Sequence, residues 1–342
     1  MKRVTIKDIA RAAGVNHTTV SRVINNDPSI SEITKKKVLK IIKKMNYYPN
    51  TAARTLVKGK TNTIAFAAPY LTSQAELDII TGIGDRLRET GSTYEMTFYT
   101  GREATGYRDM IIRNILYGRK ADGLIVTSFH LKPSIVSEFR KSKFPLVIIE
   151  DYVKGAHSIM TDSYRGGFMA TEHLIEKGRK KIAYIAGGKL QPYSLLTLKN
   201  YDGERYRGYR DAMSRHKIKS TEKLIIRIDM SSPVHGAEAF RELMEKAPDT
   251  DAIFCAAGDM VAVGILKQAR KMGIKIPSDI AIVGYDNNII SDLVNPSLTT
   301  VTNHHIQMGS AAFDIVMSEI KHGTGKPRTI KYEPELVVRN ST

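Results

Sequence analysis

Three polar side chains near the N-terminus, His17, Thr18 and Arg22, have the types and spacing to bind a surface that accepts hydrogen bonds. They lie in the segment GVNHTTVSRVIN, residues 14–25, where they alternate with apolar residues at helical spacing. An arginine can donate two hydrogen bonds to the O6 and N7 atoms of guanine, and histidine and threonine allow a close approach to the bases. The pattern therefore favours base recognition, with an ordinary surface helix as the alternative.

Two short helices and a tight turn are expected to position these side chains. Thr5 stands before IKDIARAAG with Asp8 at the spacing of a capping box, and Gly14 ends this first helix. Asn16 can cap a second helix over residues 17–24. This order of elements is a helix-turn-helix pattern, in which the second helix lies in the major groove of DNA.

A third, lysine-rich helix is predicted over residues 32–45, after a cap at Ser31. We expect its buried positions to be filled by Ile33, Val38, Leu39, Ile41 and Ile42. Hydroxyl and amide side chains at the helix ends are predicted to contact DNA phosphates. These residues are Thr5, Thr19, Ser21, Asn25, Ser31 and Asn50.

Positive charge is concentrated at the N-terminal end of the chain. The 342 residues carry a formal net charge of +17, and residues 1–60 hold 14 Lys or Arg against 3 Asp or Glu, or +11 of that total. A compact basic segment indicates a polyanionic partner, with nucleic acid the first candidate and a merely solubilising surface the alternative.

From about residue 61 onward, apolar segments of strand length alternate with amphipathic helices, as in TIAFAA, GLIVTS, AIFCAA and IAIVGY. This alternation predicts two parallel sheets covered by helices on both faces. One cysteine, Cys255, excludes a disulfide framework. No apolar segment is long enough to span a membrane and the N-terminus lacks a secretory signal, so we expect a cytoplasmic protein with no membrane partner.

The sequence contains no recognisable catalytic or metal-binding constellation. The segment GIGDRL, residues 82–87, lacks the third glycine of a dinucleotide fingerprint, and GTGK, residues 323–326, lacks the rest of a Walker loop. His304 and His305 are adjacent and so point in different directions, and no Cys/His cluster has zinc spacing. We therefore expect no enzyme activity, no metal and no cofactor.

Several blocks of the chain together resemble the LacI/GalR family of bacterial transcriptional regulators. VTIKDIARAAGVNHTTVSRVINN and YYPNTAARTLVKGKTNTIAF resemble its headpiece and hinge. IMTDSYRGGFMATEHLIEKGRKKIAYIAG, IPSDIAIVGYDN and SLTTVTNHHIQMG resemble blocks of its regulatory domain, in the same order. The resemblance implies an all-α helix-turn-helix headpiece on an α/β core like a periplasmic binding protein, with two doubly wound parallel-sheet subdomains joined by three crossovers.

The implied boundaries are a headpiece over residues 1–48 and a hinge helix or linker over 49–60. The N-terminal subdomain is then predicted over 61–160 and 288–322, and the C-terminal subdomain over 161–287 and 323–342.

For DNA, the resemblance implies that His17, Thr18 and Arg22 read base edges. It also implies that Leu56, with Ala53, is the hinge wedge in the minor groove, where an apolar side chain can unstack a base step. The alternative for Leu56 is packing on the core. Dimers fit a roughly palindromic duplex operator.

For the effector, the resemblance and the strand ends of the predicted sheets point to one cleft between the subdomains. Asp286 follows IAIVGY and Asp151 follows LVIIE, while Arg205 and Asn303 match polar ligand positions; each also has an ordinary structural alternative. Ser73 and Asp259 complete the predicted set.

Two departures from the family pattern affect this cleft. Ser73–Glu76 replace an aromatic-containing stretch, and Gly258 stands where many members have asparagine. Stacking from Phe129, Tyr152, Tyr193 or Tyr285 stays open.

These observations predict a homodimeric, sequence-specific DNA-binding repressor controlled by a small effector. A sugar or sugar derivative is the first expectation for the effector, and a nucleobase co-repressor is the second. A solute-binding protein without DNA function is the rival of another class, and it leaves the basic N-terminal segment unexplained.

Overall fold

The computed structural model describes residues 4–25, 27–47, 59–101, 105–187 and 201–342. The chain divides into two compact units, Met1–Thr61 and Asn62–Thr342. Three residues for which a DNA contact is predicted lie outside the described residues, as does Tyr193; they are Asn50, Ala53 and Leu56.

The described residues of the N-terminal unit form three helices, α1 (Ile6–Ala13), α2 (His17–Ile24) and α3 (Glu32–Lys44). Their facing sides share a small core that includes Ile9, Val20 and other fully buried aliphatic residues. The predicted buried positions of α3 are partly wrong. Ile33 is 83% exposed and Leu39 is 51% exposed, because a helix packed on one side only has room for a narrow apolar stripe.

The caps of α1 and α2 are those that the sequence predicts. The Asp8 N–H donates to Thr5 Oγ1 at 3.4 Å, and the Thr5 N–H donates to the Asp8 carboxylate at 2.9 Å. Gly14 ends α1 with φ of 62°, a left-handed conformation that glycine adopts without steric cost. Asn16 Oδ1 then accepts from the Thr18 N–H at 3.1 Å, and α2 begins at His17, three residues after Gly14.

In the larger unit, the strands of the described residues form two six-stranded sheets. The first has the order β11-β5-β4-β3-β1-β2 and is parallel throughout; the second has the order β12-β10-β9-β8-β6-β7, with only β12 antiparallel. The strands are β1 (Thr63–Ala68), β2 (Glu95–Thr100), β3 (Gly123–Thr127), β4 (Leu146–Ile149), β5 (His157–Thr161), β6 (Ile182–Ala186), β7 (Ile225–Arg227), β8 (Ala252–Cys255), β9 (Ala281–Asp286), β10 (Thr299–Thr302), β11 (Thr329–Tyr332) and β12 (Leu336–Val337). Most of the central strands are buried on both faces, which is why they read as unbroken apolar segments.

Helices cover both faces of each sheet. They are α4 (Gln74–Glu89), α5 (Thr105–Tyr117), α6 (Pro133–Lys141), α7 (Ser163–Glu176), α8 (Tyr201–Arg215), α9 (Pro233–Lys246), α10 (Asp259–Lys271), α11 (Ile290–Leu293) and α12 (His305–His322). The helices α4, α5, α6 and α12 pack on the first sheet, and the helices α7 to α11 belong to the second. No helix among the described residues is long and apolar enough to cross a membrane.

The predicted subdomain boundaries need two corrections. Residues 288–302 belong with the second sheet, because β10 pairs with β9 and α11 packs on α10. Residues 329–332 belong with the first sheet, because β11 pairs in parallel with β5. Pairing between strands distant in sequence decides both points, and a single sequence does not show that pairing.

Candidate DNA-binding surface and ligand cluster

The three residues predicted to read bases lie on the exposed face of α2. His17, Thr18 and Arg22 are exposed, whereas Val20 and Val23 on the other face are buried in the unit's core. The Arg22 guanidinium lies 4.0 Å from the Asp27 carboxylate and is 62% exposed, so only a weak surface interaction holds it. The face is therefore free, within the described part of the N-terminal unit, to meet a partner.

The residues predicted to contact phosphate already have structural partners in most cases. Thr5 and Ser31 cap α1 and α3, and the Asn25 side-chain amide donates to the Ser21 carbonyl at 2.9 Å. Thr19 and Ser21 are half-buried beside the recognition face. Phosphate contact by these side chains stays a prediction, which the helix N-termini assist through their unpaired backbone N–H groups.

At the ends of the strands, side chains from both sheets come together in one buried group. We call Glu76, Glu150, Arg205, Asp286, Asn303 and His305 the inter-sheet cluster. Parallel strands place their carboxyl ends at one edge, which is where open α/β sheets bind ligands. The cluster is therefore the candidate effector site.

Asp286 and Arg205 supply the side of the cluster that belongs to the second sheet. Arg205 Nη2 lies 4.0 Å from Asp286 Oδ1, and Arg205 Nη1 donates to the Ala256 carbonyl at 2.8 Å. The guanidinium also stacks 3.6 Å from the centroid of the Tyr285 ring. Helix α8, which carries Arg205, packs closely against α7. A Cβ on Gly167 of α7 would lie 2.2 Å from the Arg205 carbonyl oxygen, so glycine at this position allows the close approach.

Asp286 and Gly258, which face each other, both have positive φ angles, and the absence of a side chain on Gly258 makes room for the Asp286 carboxylate. Asp286 has φ of 102°, in a region that costs a non-glycine residue about 1–3 kcal/mol. Gly258, with φ of 107°, faces it, and a Cβ there would lie 2.9 Å from Asp286 Oδ2. The departure from asparagine at position 258 thus leaves space for the Asp286 carboxylate.

Asn303, on the crossover between the sheets, joins the two halves of the cluster. Its side-chain amide donates to Glu150 Oε1 at 2.8 Å and to Asp286 Oδ1 at 3.3 Å, while its Oδ1 accepts from the Thr161 hydroxyl at 2.6 Å. The predicted polar role of Asn303 therefore includes a structural one: it links carboxylates from both subdomains.

Glu150 and His305, which the sequence reasoning missed, form an ion pair inside the cluster. His305 Nε2 lies 2.9 Å from Glu150 Oε1, and both residues are buried or nearly so. Burial alone raises the pKa of Glu150, but the charge and hydrogen bond of His305, with Arg205 and Asn303, outweigh it and hold that pKa at about 2. Burial lowers the pKa of His305, but Glu150 and Asp286 raise it to about 9. The pair is thus charged at neutral pH.

Two further acids of the cluster have raised pKa values. Burial raises the pKa of Asp286, against the opposing charges of Arg205 and His305. Burial also raises the pKa of Glu76 to about 7, although its own backbone N–H opposes the change. Glu76 is 6% exposed in the first turn of α4, and its Oε2 has no hydrogen-bond partner among the described residues. In the sequence, Glu76 is distinguished only as part of the segment Ser73–Glu76, which replaces an aromatic-containing stretch of the family.

Three other predicted effector residues, Asp151, Ser73 and Asp259, lie outside the cluster. Asp151 Oδ2 lies 3.1 Å from His130 Nδ1, and its Oδ1 accepts from the Tyr152 N–H, so Glu150 is the acid of this strand end that joins the cluster. Ser73 is exposed just before α4.

Asp259 requires a correction. It is fully buried, and its two oxygens accept from the Thr300 hydroxyl at 2.7 Å and the Asn288 N–H at 2.8 Å. These hydrogen bonds hold the connection that follows β9, and full burial leaves the Asp259 carboxylate no surface for an effector to contact.

The sequence did contain a signal for the missed pair. Glu150 is the last residue of the strand segment LVIIE, and His305 stands in the block SLTTVTNHHIQMG, next to His304.

Among the described residues, no group of three or more His, Cys, Asp or Glu side chains has the geometry to hold a metal ion.

A helix-turn-helix unit and a two-sheet core with a buried polar cluster, in one chain, define the class of DNA-binding regulators that carry a ligand-binding core. Comparison with known proteins identifies the family. Residues 5–50 match the model for bacterial regulatory proteins of the lacI family, and residues 171–342 match a periplasmic binding protein-like domain. The chain belongs to the LacI family of transcriptional regulators.

Relatives match along the full length. The transcriptional regulator CelR of Thermobifida fusca is 32% identical over 99% of this chain and 98% of its own. The repressor PurR of Vibrio atlanticus is 33% identical over 98% of both chains. The solved structure of a CelR–cellobiose complex matches with a TM-score of 0.71 at 29% identity, over 99% of this chain and 100% of that one. A lac repressor dimer bound to operator and the anti-inducer ONPF shares the fold, with a TM-score of 0.83 at 24% identity over 99% of both chains.

Proposed function

We propose that this protein represses transcription as a homodimer bound to a roughly palindromic operator, and that a small effector bound at the inter-sheet cluster controls operator affinity. The observation that carries the proposal is the joint presence of an exposed recognition face on α2 and a buried cluster that draws side chains from both sheets. Arg22, with His17 and Thr18, would read the bases. Leu56 and Ala53 would act as the minor-groove wedge.

A sugar or sugar derivative is the effector that the cluster suits best. Carboxylates and a guanidinium at one edge can accept from and donate to neighbouring hydroxyl groups, and the relative CelR has been solved with cellobiose. A stacked nucleobase is the second candidate, because among the described aromatic candidates only Tyr152 is exposed. Phe129 and Tyr285 are buried, and Arg205 already covers the Tyr285 ring.

Exposed apolar side chains on the larger unit support the homodimer. Helix α5 exposes Tyr107, Met110 and Tyr117, and the region around α10 and α11 exposes Met260, Ile289 and Leu293. Large exposed apolar groups of this kind on a water-facing surface commonly mark protein interfaces.

Operator binding tests the proposal. A duplex selected by this protein from a random palindromic library should bind the wild type tightly, and Arg22→Ala should weaken binding roughly 10- to 100-fold, the expected loss for a guanine-reading arginine. Arg88→Ala on the larger unit, another exposed arginine that pairs with an aspartate, is the matched control and should leave affinity unchanged. Fluorescence anisotropy measures both. If the wild type prefers no palindrome over random duplex, the proposal is wrong.

A further inference from the structure

Glu76 is a buried acid whose second carboxylate oxygen lacks a partner among the described residues. It lies in the first turn of α4, is 6% exposed, and is influenced by the charges of Glu150, His305 and Asp286. A buried polar atom without a hydrogen bond is costly, and in a native protein it calls for an explanation such as a functional role or a group that completes it. Glu76 therefore marks the part of the inter-sheet cluster that the protein itself leaves incomplete.

The other charges of the cluster already balance one another. His305 pairs with Glu150 at 2.9 Å, and Arg205 faces Asp286 at 4.0 Å. Asp78, two residues along α4, accepts from Gln74 and adds a further negative charge near His305. After these pairings Glu76 in the cluster and Asp78 beside it are not matched by a cation among the described contacts, so this region holds more acids than bases.

We propose that Glu76 makes this cluster selective for an effector that carries a protonated amine, such as an amino sugar, over a neutral alcohol of the same shape. This inference rests on the proposed function, since it concerns the ligand of the same site. An ammonium group donates hydrogen bonds and also supplies the missing charge, and charge-assisted hydrogen bonds are about twice as strong as neutral ones. A hydroxyl group supplies only the donor, and an anionic effector would meet no unpaired cation in the described part of the cluster.

Proton release gives a second signature of the same contact. The pKa of Glu76 is about 7, so a fraction of the molecules carries the neutral acid at neutral pH. An ammonium group beside the carboxyl favours its ionised form. Binding of an amine at pH 7 should therefore release protons to the buffer, and binding of an alcohol should not.

Matched pairs of compounds provide the test. The full-length protein is titrated calorimetrically with D-glucosamine and D-glucose, with D-galactosamine and D-galactose, and with putrescine and 1,4-butanediol. At least one amine should bind tenfold or more tightly than its partner alcohol. Repeating that titration at pH 7 in two buffers of different ionisation enthalpy measures the released protons.

Variants separate Glu76 from general electrostatics. Glu76→Gln keeps the shape of the side chain and should abolish both the amine preference and the proton release. Asp85→Asn removes a carboxylate from a half-buried surface position on α4, where it pairs with Arg88, and should preserve both. Thermal unfolding of each variant without ligand shows that the fold is retained.

The inference is overturned if no amine of the panel binds, if an alcohol binds as tightly as its amine, or if Glu76→Gln keeps the preference. These results leave the operator measurements with Arg22→Ala untouched. Failure of the ligand inference is thus distinguishable from failure of the proposed function.

Discussion

At the scale of single residues, the ion pair of Glu150 and His305 controls how the cluster responds to pH. Each partner is largely buried, and the other partner, 2.9 Å away, is a main reason that it keeps its charge. Removing one partner of a buried pair leaves an uncompensated charge and typically costs about 3–5 kcal/mol. The pair therefore links ligand-site geometry to the stability of the larger unit.

Stability should fall as pH rises through the range in which His305 loses its proton. Its folded pKa of about 9 lies above the reference value of 6.5, so its contribution is complete below pH 6.5 and is lost as pH rises through 9. At about 1.4 kcal/mol per pKa unit, the loss is roughly 3 kcal/mol. His305→Gln should be less stable at pH 6.5 and show a flatter decline to pH 9 in urea unfolding.

The double variant Glu150→Gln with His305→Gln is the control for this prediction. It removes both charges, so it should be more stable than His305→Gln alone. Equal pH slopes in the wild type and His305→Gln would show that the pair does not set this dependence. Glu76, whose pKa is raised, adds a loss between pH 4.5 and 7 in the wild type, and this loss extends to higher pH in His305→Gln because the His305 charge lowers the pKa of Glu76.

At the scale of elements, the cap of α2 places the recognition side chains. Asn16 accepts from the Thr18 N–H at 3.1 Å, which fixes the start of the helix immediately before His17. The short helix has eight residues and draws its stability from this cap and from Val20 and Val23.

Asn16→Ala should destabilise α2 by about 1 kcal/mol, because one N-terminal backbone donor loses its acceptor. Hydrogen exchange of the Thr18 to Val20 amides in the full-length protein should accelerate roughly fivefold. Asn16→Ser, which keeps a capping oxygen, is the matched control and should retain most of the protection. Unchanged exchange in Asn16→Ala would mean that packing alone sets the helix start.

The elements also show which parts of the fold a sequence can specify. Caps such as Thr5–Asp8 and Asn16 involve neighbours within three residues, so their residue types predict them. The assignment of β10 and β11 to sheets depends on partners far away in the chain, and the predicted boundaries failed there. Apolar periodicity also overestimated burial at Ile33, since it does not show which side of α3 has a neighbour.

At the scale of the whole larger unit, Asn303 is the residue that connects the two subdomains within the cluster. The described chain passes between the sheets three times, after β5, after β10 and after β11. Asn303 lies in the second passage and donates to acids of both subdomains. A change in the angle between the subdomains would therefore alter these hydrogen bonds first.

Effector and operator binding should be coupled reciprocally, and Asn303 should transmit part of the coupling. The factor by which an effector changes operator affinity must equal the factor by which operator changes effector affinity. Asn303→Ala should reduce that common factor several-fold while operator affinity without effector changes little. Operator affinity is measured by anisotropy with and without an amine that calorimetry has shown to bind, and amine affinity is measured with and without operator. If Asn303→Ala leaves the coupling factor unchanged, Asn303 does not transmit the coupling.

The sequence by itself determined the class of elements, the exposed face of α2 and three of the ligand-cluster residues, Asp286, Arg205 and Asn303. These follow from local caps, from periodicity and from motif blocks whose residues are close in the chain. Only the tertiary structure selected Glu150 over Asp151, paired it with His305 and left Glu76 Oε2 without a hydrogen-bond partner in the described part of the chain. Those features depend on which strand ends and helix ends meet in space and on how much water their meeting excludes. Burial and neighbouring charge, which set the pKa values of the cluster, exist only once the two sheets have come together.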